Sequence, residues 1–335
     1  MANNCIERAV GIIKSGGLVS FPTETVYGLG ADAFNANAIK RIYDAKGRPG
    51  DNPLILHIAN IGQAHELAES LPAYATVLIN KYWPGPLTII VNKNQHLASW
   101  VGGHPKNITS TIGIRMPSHP VAQAFLQAVG CPIAAPSANK SGRPSPTTLK
   151  HVQDDFLATG EIEMMLDGAG SEIGIESTVV DITGEKPVIL RHGAITQEMI
   201  ENVTGMTLGN TNIVNVAPRS PGMKYKHYAP KAPMVILKGQ PHNIAKYIAS
   251  EIHNGRIGLL ITKETQDAIL QNPNQTILTL STNQTEVAQN LFSQLRKFDE
   301  IGVTKIYAES VSTDGIGVAI MDRMIKAAEG NILQV

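Results

Sequence analysis

Two short stretches near the start of the chain combine residue types that bind a small anion. The first, PTETVYGLG (22–30), places two threonines and a carboxylate beside two glycines. The second, KGRPGDNP (46–53), has a lysine and an arginine on either side of one glycine. Glycine lets the backbone approach a ligand closely, whereas arginine offers a planar fork and lysine a mobile point charge for phosphate or carboxylate. Together the two stretches predict a pocket for a small anion.

Further cations and hydroxyls occur where later strands are predicted to end. Arg115 lies just before a proline break, Ser177 and Arg191 lie on two neighbouring predicted strands, and the polar loop 136–147 follows a short apolar strand. Long polar loops on a scaffold of strands tend to carry function. The number of cations next to glycine and proline breaks therefore favours a phosphate or nucleotide pocket.

Each of these residues also has a plainer interpretation. A single arginine at a strand edge more often forms a surface ion pair, which contributes about 0 to 1 kcal/mol, and Ser or Thr beside Gly or Pro more often forms a turn. His57 could be a core histidine, and Lys46 could simply complement the dipole of a helix end. Glu24, Asp51 and Glu176 could pair with the cations and leave none for a ligand.

The sequence gives little support to metal-centred or covalent chemistry. No CxxC or HExxH spacing occurs, which argues against a protein-bound zinc ion. The two cysteines, Cys5 and Cys131, lie far apart, and neither has a neighbouring histidine that would favour a thiolate. A covalent mechanism is therefore not indicated.

Apolar periodicity and capping residues predict the elements that position these side chains. In the first part of the chain we expect helices at about 5–14, 36–46, 65–69, 73–82 and 119–129, and strands at about 18–21, 54–58, 87–91, 109–115, 131–135, 174–181 and 188–193. In the last hundred residues, strands at 234–237, 257–261, 277–280 and 305–308 accompany helices at 244–252, 286–298 and 316–328. This alternation is typical of a small parallel α/β domain.

Length and composition set the outer limits of the interpretation. A chain of 335 residues exceeds what one hydrophobic core usually serves, so we expect two domains. With 28 basic and 28 acidic residues, net charge provides no long-range attraction to nucleic acid or membrane. We find no run of about 20 apolar residues and no export signal, and with two cysteines we expect the reducing cytoplasm.

Residues 208–230 interrupt the periodicity of the chain and predict a linker rich in proline. Between residues 215 and 231 this linker contains four cations, no acid and two tyrosines beside a histidine; these residues are Arg219, Lys224, Tyr225, Lys226, His227, Tyr228 and Lys231. A passive spacer is more often rich in Gly, Ser and Glu. We therefore expect the linker to fold back onto something anionic.

The motifs of the chain, taken in order, resemble the Sua5/YrdC/YciO family and more narrowly its two-domain Sua5 branch. They are PTETVYGLGA (22–31), KGRP (46–49), NPLILHI (52–58), WPGPLT (83–88), IGIRMPSHP (112–120), APSANKSGRPSPT (135–147), ESTVVD (176–181) and SPGMKYKHYAP (220–230). The resemblance implies a YrdC-like twisted-sheet α/β domain with a concave active site at 1–207. It further implies a linker that acts as an active-site lid at 208–230 and a smaller Rossmann-like α/β domain at 231–335.

The resemblance also implies an activity, that of a nucleotidyltransferase. The enzyme would convert L-threonine, bicarbonate and ATP into L-threonylcarbamoyl-AMP and pyrophosphate, with Mg²⁺ accompanying ATP and no protein ligand assigned to the metal. A separate tRNA threonylcarbamoyl transferase complex would then use the product to modify ANN-decoding tRNAs. A weak direct contact with tRNA stays open, and no membrane partner is implied.

Roles for individual residues follow from the same resemblance. Lys46 and Arg48 would be catalytic residues at the phosphates. The L-threonine site would consist of Thr25, His57, Arg115, Ala135 and Ser177. The nucleotide site would consist of Arg48, Asn52, Thr111, Ser137, Ser145, Arg191 and Tyr228. Tyr228 would close over the nucleotide as part of the lid, and whether Thr23 or Thr25 touches the substrate stays open.

Two alternatives to this activity come from other functional classes. The first domain could be an RNA-binding module that tracks a tRNA or ribosomal RNA backbone, but zero net charge disfavours it because about 6 to 10 phosphate contacts need a concentrated basic face. A carbamoyl-handling enzyme, like the related domain of hydrogenase maturation proteins, would need carbamoyl phosphate and further domains.

Overall fold

The computed structural model describes residues 2–209, 227–251, 255–270 and 272–335. These residues form two compact units. One comprises the described residues up to 141 together with 145–209, and the other comprises Gly142–Pro144 together with the described residues from 227 onwards. Most of the predicted linker, residues 210–226, lies outside the described residues, so the predicted boundaries beside it stay predictions.

The first unit consists of seven helices and nine strands among its described residues. Its helices are α1 (Ala2–Lys14), α2 (Ala36–Lys46), α3 (Ile61–Leu67), α4 (Ala73–Tyr82), α5 (Pro120–Val129), α6 (Leu149–Phe156) and α7 (Gln197–Thr204). Its strands are β1 (Val19–Phe21), β2 (Gly28–Asp32), β3 (Ile55–His57), β4 (Leu87–Asn92), β5 (Thr111–Arg115), β6 (Ile133–Ala135), β7 (Met164–Met165), β8 (Thr178–Asp181) and β9 (Val188–Arg191).

The nine strands form one mixed sheet in the order β7-β1-β2-β6-β3-β5-β4-β8-β9. Three neighbouring pairs are parallel, namely β1 with β7, β3 with β5 and β4 with β8, and the others are antiparallel. The central strands are buried along almost their whole length. This explains why they consist of continuous apolar runs instead of alternating polar and apolar residues. The mixed α/β class expected from the sequence is confirmed.

Helix α2 shows how local sequence sets the position of a functional residue. The Asn35 side chain accepts hydrogen bonds from the backbone N–H groups of Asn37 and Ala38, which caps the start of the helix. Gly47 ends the helix in the left-handed conformation with φ of 62°, which glycine adopts without a steric penalty. The helix therefore ends with Lys46 at its last position, and that side chain is buried.

The second unit consists of four helices and five strands among its described residues. Its helices are α8 (Pro241–Ser250), α9 (Lys263–Ala268), α10 (Gln284–Ile301) and α11 (Gly317–Ala327), and its strands are β10 (Met234–Lys238), β11 (Ile257–Thr262), β12 (Gln275–Leu280), β13 (Lys305–Glu309) and β14 (Ile332–Gln334). All neighbouring strands are parallel, in the order β12-β11-β13-β10-β14. The predicted parallel α/β domain is confirmed.

Several predicted boundaries shift because short-range hydrogen bonds decide where an element begins. The helix expected at 65–69 begins instead at Ile61, because the Asn60 side chain accepts a hydrogen bond from the Gln63 backbone N–H. The edge strand β14 was not predicted, since three residues are too few to show a periodicity. Among the described residues, no helix combines the length and apolar character needed to cross a bilayer.

Gly30 on β2 offers a test of how tightly the first unit is packed. An added Cβ would lie 2.7 Å from Ile133 Cγ2 and 2.9 Å from Phe21 Cε1, so we expect Gly30→Ala to destabilise the first unit by about 1 to 3 kcal/mol through overpacking. Both tryptophans, Trp83 and Trp100, lie in this unit, so urea unfolding followed by tryptophan fluorescence reports on it selectively.

Gly184 provides the matched control for this substitution. It has no atom within 4 Å of an added Cβ, so Gly184→Ala should leave the unfolding midpoint nearly unchanged. Equal midpoints for the two variants would contradict the close packing at Gly30.

Candidate active site

Arg115, the last residue of β5, has a guanidinium whose three nitrogens all contact other groups. Its side chain is about 5% exposed. Nε donates to the Gly85 carbonyl at 3.3 Å, Nη1 donates to Thr25 Oγ1 at 2.8 Å, and Nη2 lies 2.8 Å from Glu24 Oε1. Glu24 is therefore the counter-ion of Arg115, as one of the alternatives drawn from the sequence allowed. A buried cation with this compensation is fixed in place.

The Pro22–Gly30 stretch forms a turn that separates the roles of its two threonines. Thr23 Oγ1 donates to the Val26 carbonyl at 2.6 Å and accepts from the backbone N–H groups of Thr25 and Val26 at 3.2 Å. This local pattern is typical of a hydroxyl that stabilises its own turn. The Thr25 hydroxyl accepts from Arg115 Nη1 at 2.8 Å and also lies 3.0 Å from Thr23 Oγ1. Thr25 therefore contacts Arg115 directly, whereas Thr23 shapes the loop and adjoins the Thr25 hydroxyl.

His57 lies directly beside Arg115, because His57 on β3 is paired with Arg115 on β5. Its ring is buried, stands edge-on to Phe21 with 5.8 Å between ring centroids, and its Nδ1 lies 3.2 Å from the Ile55 carbonyl oxygen. Burial, and then the neighbouring Arg115 guanidinium, lower the pKa of His57 to about 3. The imidazole is therefore neutral at physiological pH.

Ser177, which precedes β8, and Arg191, the last residue of β9, extend this cluster through Thr88 on β4. Thr88 on β4 is paired with Arg115, and its Oγ1 lies 2.7 Å from Ser177 Oγ. Arg191 donates from Nη2 to Ser177 Oγ and from Nε to the Ser177 carbonyl, both at 3.1 Å. Thr88 was not predicted as a site residue, because nothing in its own sequence neighbourhood distinguishes it from any strand threonine.

The loop 136–147 reaches the same region through Ser145. The Ser145 hydroxyl donates to Glu176 Oε1 at 2.5 Å, and both residues are buried. Glu176 immediately precedes Ser177, so this bond ties the loop to the strand end that carries Ser177. Glu176 is one of the three carboxylates that the sequence offered as counter-ions for the cations, and it accepts a hydrogen bond from the Ser145 hydroxyl.

Lys46 holds the first residues of the loop 136–147 by hydrogen bonds to their backbone. Its Nζ donates to the carbonyls of Ser137, at 2.5 Å, and Asn139, and its own carbonyl accepts from the Ser141 backbone N–H at 2.9 Å. The Ser137 hydroxyl donates to Asn139 Oδ1 at 2.5 Å. Sequence reasoning did not select Asn139, although its place between two candidate residues of the same polar loop was a usable signal.

Arg48 and Asn52 form the third part of the candidate site. Arg48 donates from Nε to the Asn52 carbonyl at 3.1 Å and from Nη2 to the Pro53 carbonyl at 2.7 Å. Asn52 is buried, and its Oδ1 accepts no hydrogen bond from any residue that the structure describes. A buried acceptor without a partner is uncommon, and it points to a ligand donor at this position.

The register of β3, β5 and β6 divides most of these residues between two ends of the sheet. Thr111 and Arg115 are the first and last residues of β5, so they lie about 13 Å apart at about 3.3 Å per residue. Ile55, at the start of β3, is paired with Ala135, at the end of β6. Asn52, Thr111 and Ser137 therefore lie at one end, and His57 and Arg115 lie at the other.

Tyr228, predicted as a nucleotide-binding residue, belongs to the second unit and is buried there. Its ring stacks on Phe292 of α10 with 5.1 Å between centroids, and the Arg323 guanidinium carbon lies 5.8 Å from the ring centroid. Its φ of 63° is uncommon for a residue with a bulky side chain. The predicted contact of Tyr228 with a nucleotide stays a prediction.

No group of three or more His, Cys, Asp and Glu residues that could bind a metal ion occurs in the described part of the chain. The cations and hydroxyls of the site are suited to anions instead, because arginine and lysine are donors only. The arrangement can therefore bind an elongated ligand, or two ligands, with anionic groups at separate ends.

Comparisons with known proteins agree with this description. The family model for the Sua5/YciO/YrdC domain, described as "Telomere recombination", matches residues 11–193, and the model described as "Threonylcarbamoyl-AMP synthase, C-terminal domain" matches residues 195–329. The chain is 43% identical to the threonylcarbamoyl-AMP synthase of Bacillus subtilis, over 98% of this chain and 94% of the relative. It is 41% identical to that of Pyrococcus abyssi, over 98% and 96%.

Solved structures give the same result. The crystal structure of P. abyssi Sua5 complexed with L-threonine matches with a TM-score of 0.87 and 40% identity, covering 98% of this chain and 96% of that chain. The crystal structure of Escherichia coli YciO matches with a TM-score of 0.50 and 25% identity, covering 58% of this chain and 90% of that chain.

The low pKa of His57 predicts a specific pH dependence of stability. The pKa of His57 is about 3 in the folded state and about 6.5 in the unfolded state. Below pH 6.5 the unfolded state therefore binds a proton that the folded state does not, and stability falls as the pH falls. Between pH 7.5 and 5.5, His57 should account for a loss of about 1.4 kcal/mol.

Replacement by a side chain that does not titrate isolates this contribution. The unfolding free energy of His57→Asn, measured by urea titration, should change less than that of the native protein between pH 7.5 and 5.5, by about 1.4 kcal/mol. The same change in both proteins would show that His57 titrates normally in the folded state.

Proposed function

The chain belongs to the Sua5/YrdC/YciO family, in its two-domain threonylcarbamoyl-AMP synthase form, and from this premise we propose how its residues bind the substrates. The enzyme uses ATP, L-threonine and bicarbonate to make threonylcarbamoyl-AMP and pyrophosphate, for threonylcarbamoyladenosine modification of tRNA. The observation that carries the residue assignment is the separation of two polar clusters along β5. One surrounds Arg115, and the other contains Lys46, Asn52 and Ser137.

The chemistry of this reaction needs positioning more than it needs a reactive side chain. The threonine amine and bicarbonate give a carbamate and water. A carbamate oxygen then forms a bond to the α-phosphorus of ATP, and the bond from that phosphorus to the pyrophosphate oxygen breaks. Such transfers are catalysed by alignment of the reactants and by neutralisation of charge. Rigidly held cations and hydroxyls, with no activated nucleophile, suit this reaction.

At the threonine end, Arg115 would bind the substrate carboxylate as a bidentate pair. A guanidinium has five N–H groups, and the hydrogen bonds to Gly85 and Thr25 use one on Nε and one on Nη1. Nη2 lies 2.8 Å from Glu24 Oε1. In this proposal the remaining N–H groups of the two terminal nitrogens donate to the two carboxylate oxygens.

The remaining residues at this end would contact the amine and hydroxyl of threonine. His57 is neutral, so its ring adds no positive charge that would repel a substrate ammonium, and it can make neutral hydrogen bonds. The predicted threonine-binding residues also include Thr25, Ala135 through its backbone and Ser177. Ser177 is oriented by Thr88 and Arg191.

At the nucleotide end, Lys46 and Arg48 would neutralise the phosphates. Asn52 Oδ1 accepts no hydrogen bond from any described residue. A ribose hydroxyl or an exocyclic amine of the base would suit it, since both are donors. Thr111, Ser137, Ser145, Arg191 and Tyr228 complete the proposed nucleotide contacts. Ser145 and Arg191 lie beside Glu176 and Ser177, so the proposed nucleotide contacts extend from one polar cluster towards the other.

We expect Mg²⁺ to enter the site together with ATP and to neutralise part of the phosphate charge. Transfer of the product to tRNA would be carried out by a separate transferase complex, as the family resemblance implies.

Omission of single components tests the reaction directly. Pyrophosphate release from ATP should require both L-threonine and bicarbonate, because the carbamate is the attacking group. It should fall to background when either is left out, with a coupled colorimetric assay as the readout and chromatography of the adenylate as confirmation. Release that continues without threonine would contradict the activity.

Substitution of Glu24 tests the proposed threonine end. Glu24→Gln keeps the shape of the side chain but removes the negative charge that holds Arg115, so the KM for L-threonine should rise about tenfold or more while the KM for ATP changes little. Charge-assisted hydrogen bonds contribute about 1.5 to 3 kcal/mol, which corresponds to this range.

Glu66 on α3 is exposed and gives the matched control. Glu66→Gln should leave both KM values unchanged. If Glu24→Gln raised the KM for ATP as much as the KM for threonine, the assignment of Arg115 to the threonine end would be wrong.

A further inference from the structure

The segment Gly142–Pro144 lies within the polar loop 136–147 in sequence but belongs to the second compact unit. Ser137 and Ser145, both proposed to hold the nucleotide, lie on either side of it along the chain. Residues of the second unit that contact this segment can therefore influence where the two serines stand.

Each residue of the segment makes a specific contact inside the second unit. The Gly142 carbonyl accepts from the Ala229 backbone N–H at 2.8 Å. The Arg143 guanidinium lies 3.6 Å from Asp299 Oδ2. The Pro144 carbonyl accepts two hydrogen bonds from Arg296, from Nε at 3.1 Å and from Nη2 at 2.6 Å.

Arg296 contributes two of these hydrogen bonds, both to the Pro144 carbonyl. Arg296 lies on α10, and its side chain is 3% exposed. A buried guanidinium is costly unless it is hydrogen-bonded, and here two of its nitrogens converge on one carbonyl oxygen. Pro144 has no backbone N–H and a nearly fixed φ, so holding its carbonyl fixes the orientation of the peptide that leads to Ser145.

The neighbouring parts of the loop are anchored independently. On the N-terminal side, Lys46 donates to the Ser137 and Asn139 carbonyls, and Lys140 Nζ donates to the Ala45 carbonyl at 2.6 Å. On the C-terminal side, Ser145 donates to Glu176. Arg296 thus holds the loop at Pro144, between these two anchors. Because the Pro144 carbonyl belongs to the peptide that leads to Ser145, loss of the two hydrogen bonds would act first on Ser145.

We propose that Arg296 is a positioning residue for the nucleotide site, which acts by holding the Pro144 carbonyl and so the loop that carries Ser137 and Ser145. The proposal rests on the proposed function, in which these two serines contact ATP.

Steady-state kinetics of the full-length chain test the proposal. Arg296→Met removes both hydrogen bonds, and the KM for ATP should rise tenfold or more while the KM for L-threonine stays within about twofold. Arg296→Lys keeps the charge but has no planar fork, so it should restore part of the ATP affinity. Lys297→Met, at the exposed neighbouring position whose Nζ lies 3.0 Å from Glu300, is the control and should behave like the native protein.

The outcomes separate a positioning role from a purely structural one. Unchanged KM values in a folded Arg296→Met protein, or equal increases for ATP and threonine, would overturn the proposal. If circular dichroism shows that Arg296→Met does not fold, Arg296→Lys alone decides: a selective rise in the KM for ATP supports the proposal, and native values overturn it.

Failure of the proposed function would look different. In that case the native protein would release no threonine-dependent pyrophosphate, or Ser145→Ala would leave the KM for ATP unchanged. Native kinetics that depend on Ser145 but not on Arg296 would overturn the inference alone.

Discussion

The ion pair between Arg115 and Glu24 is the constraint on which the first unit's polar cluster depends. A guanidinium this deeply buried has to be compensated, because an unpaired charge in a poorly solvated environment costs several kcal/mol. The compensating groups come from separate segments, since Glu24 and Thr25 lie on one loop and Gly85 lies on another. The charge therefore fixes three backbone segments relative to one another. Burial, and then this charge, lower the pKa of the adjacent His57, and the imidazole is neutral at physiological pH.

The pairing of the short central strands sets the distance between the polar residues at their ends. Because β3 is paired with both β5 and β6, a residue that ends one strand has a defined partner on the next. By this register the backbone of Asn52, Thr111 and Ser137 lies at one end of the sheet and that of His57 and Arg115 at the other. A reaction that joins an amino acid to a nucleotide requires such a fixed spacing, because small errors in the alignment of reacting atoms reduce the rate strongly.

Local sequence was sufficient to predict most elements, whereas the roles of the candidate site residues came from the family resemblance and stay predictions. Asn35 and Gly47 bound α2 as their capping preferences indicate, and the alternation of strands and helices in the second unit is that of a parallel sheet. The partners of the polar residues were not predictable. Glu24 and Arg115 are 91 residues apart in the sequence, and the same arginine before a proline could equally have formed a surface pair. Arg296 shows the same limit, because an arginine beside an apolar helix stripe is usually solvent-exposed.

Buried and exposed cations in this chain differ in what they can contribute. Lys40 with Asp44, and Lys150 with Asp154, are exposed pairs one helical turn apart, and such pairs stabilise a helix by only about 0.3 to 0.5 kcal/mol. Replacing them would change little beyond the helix itself.

Arg115 and Arg296 are buried, and each guanidinium contacts backbone carbonyls or side chains of segments distant in sequence. Since burial makes these two cations expensive to misplace, each defines one loop geometry. A catalyst that works by alignment without a nucleophile needs this kind of restraint, and Arg115 contacts the turn at Thr25 whereas Arg296 contacts the Pro144 carbonyl beside Ser145.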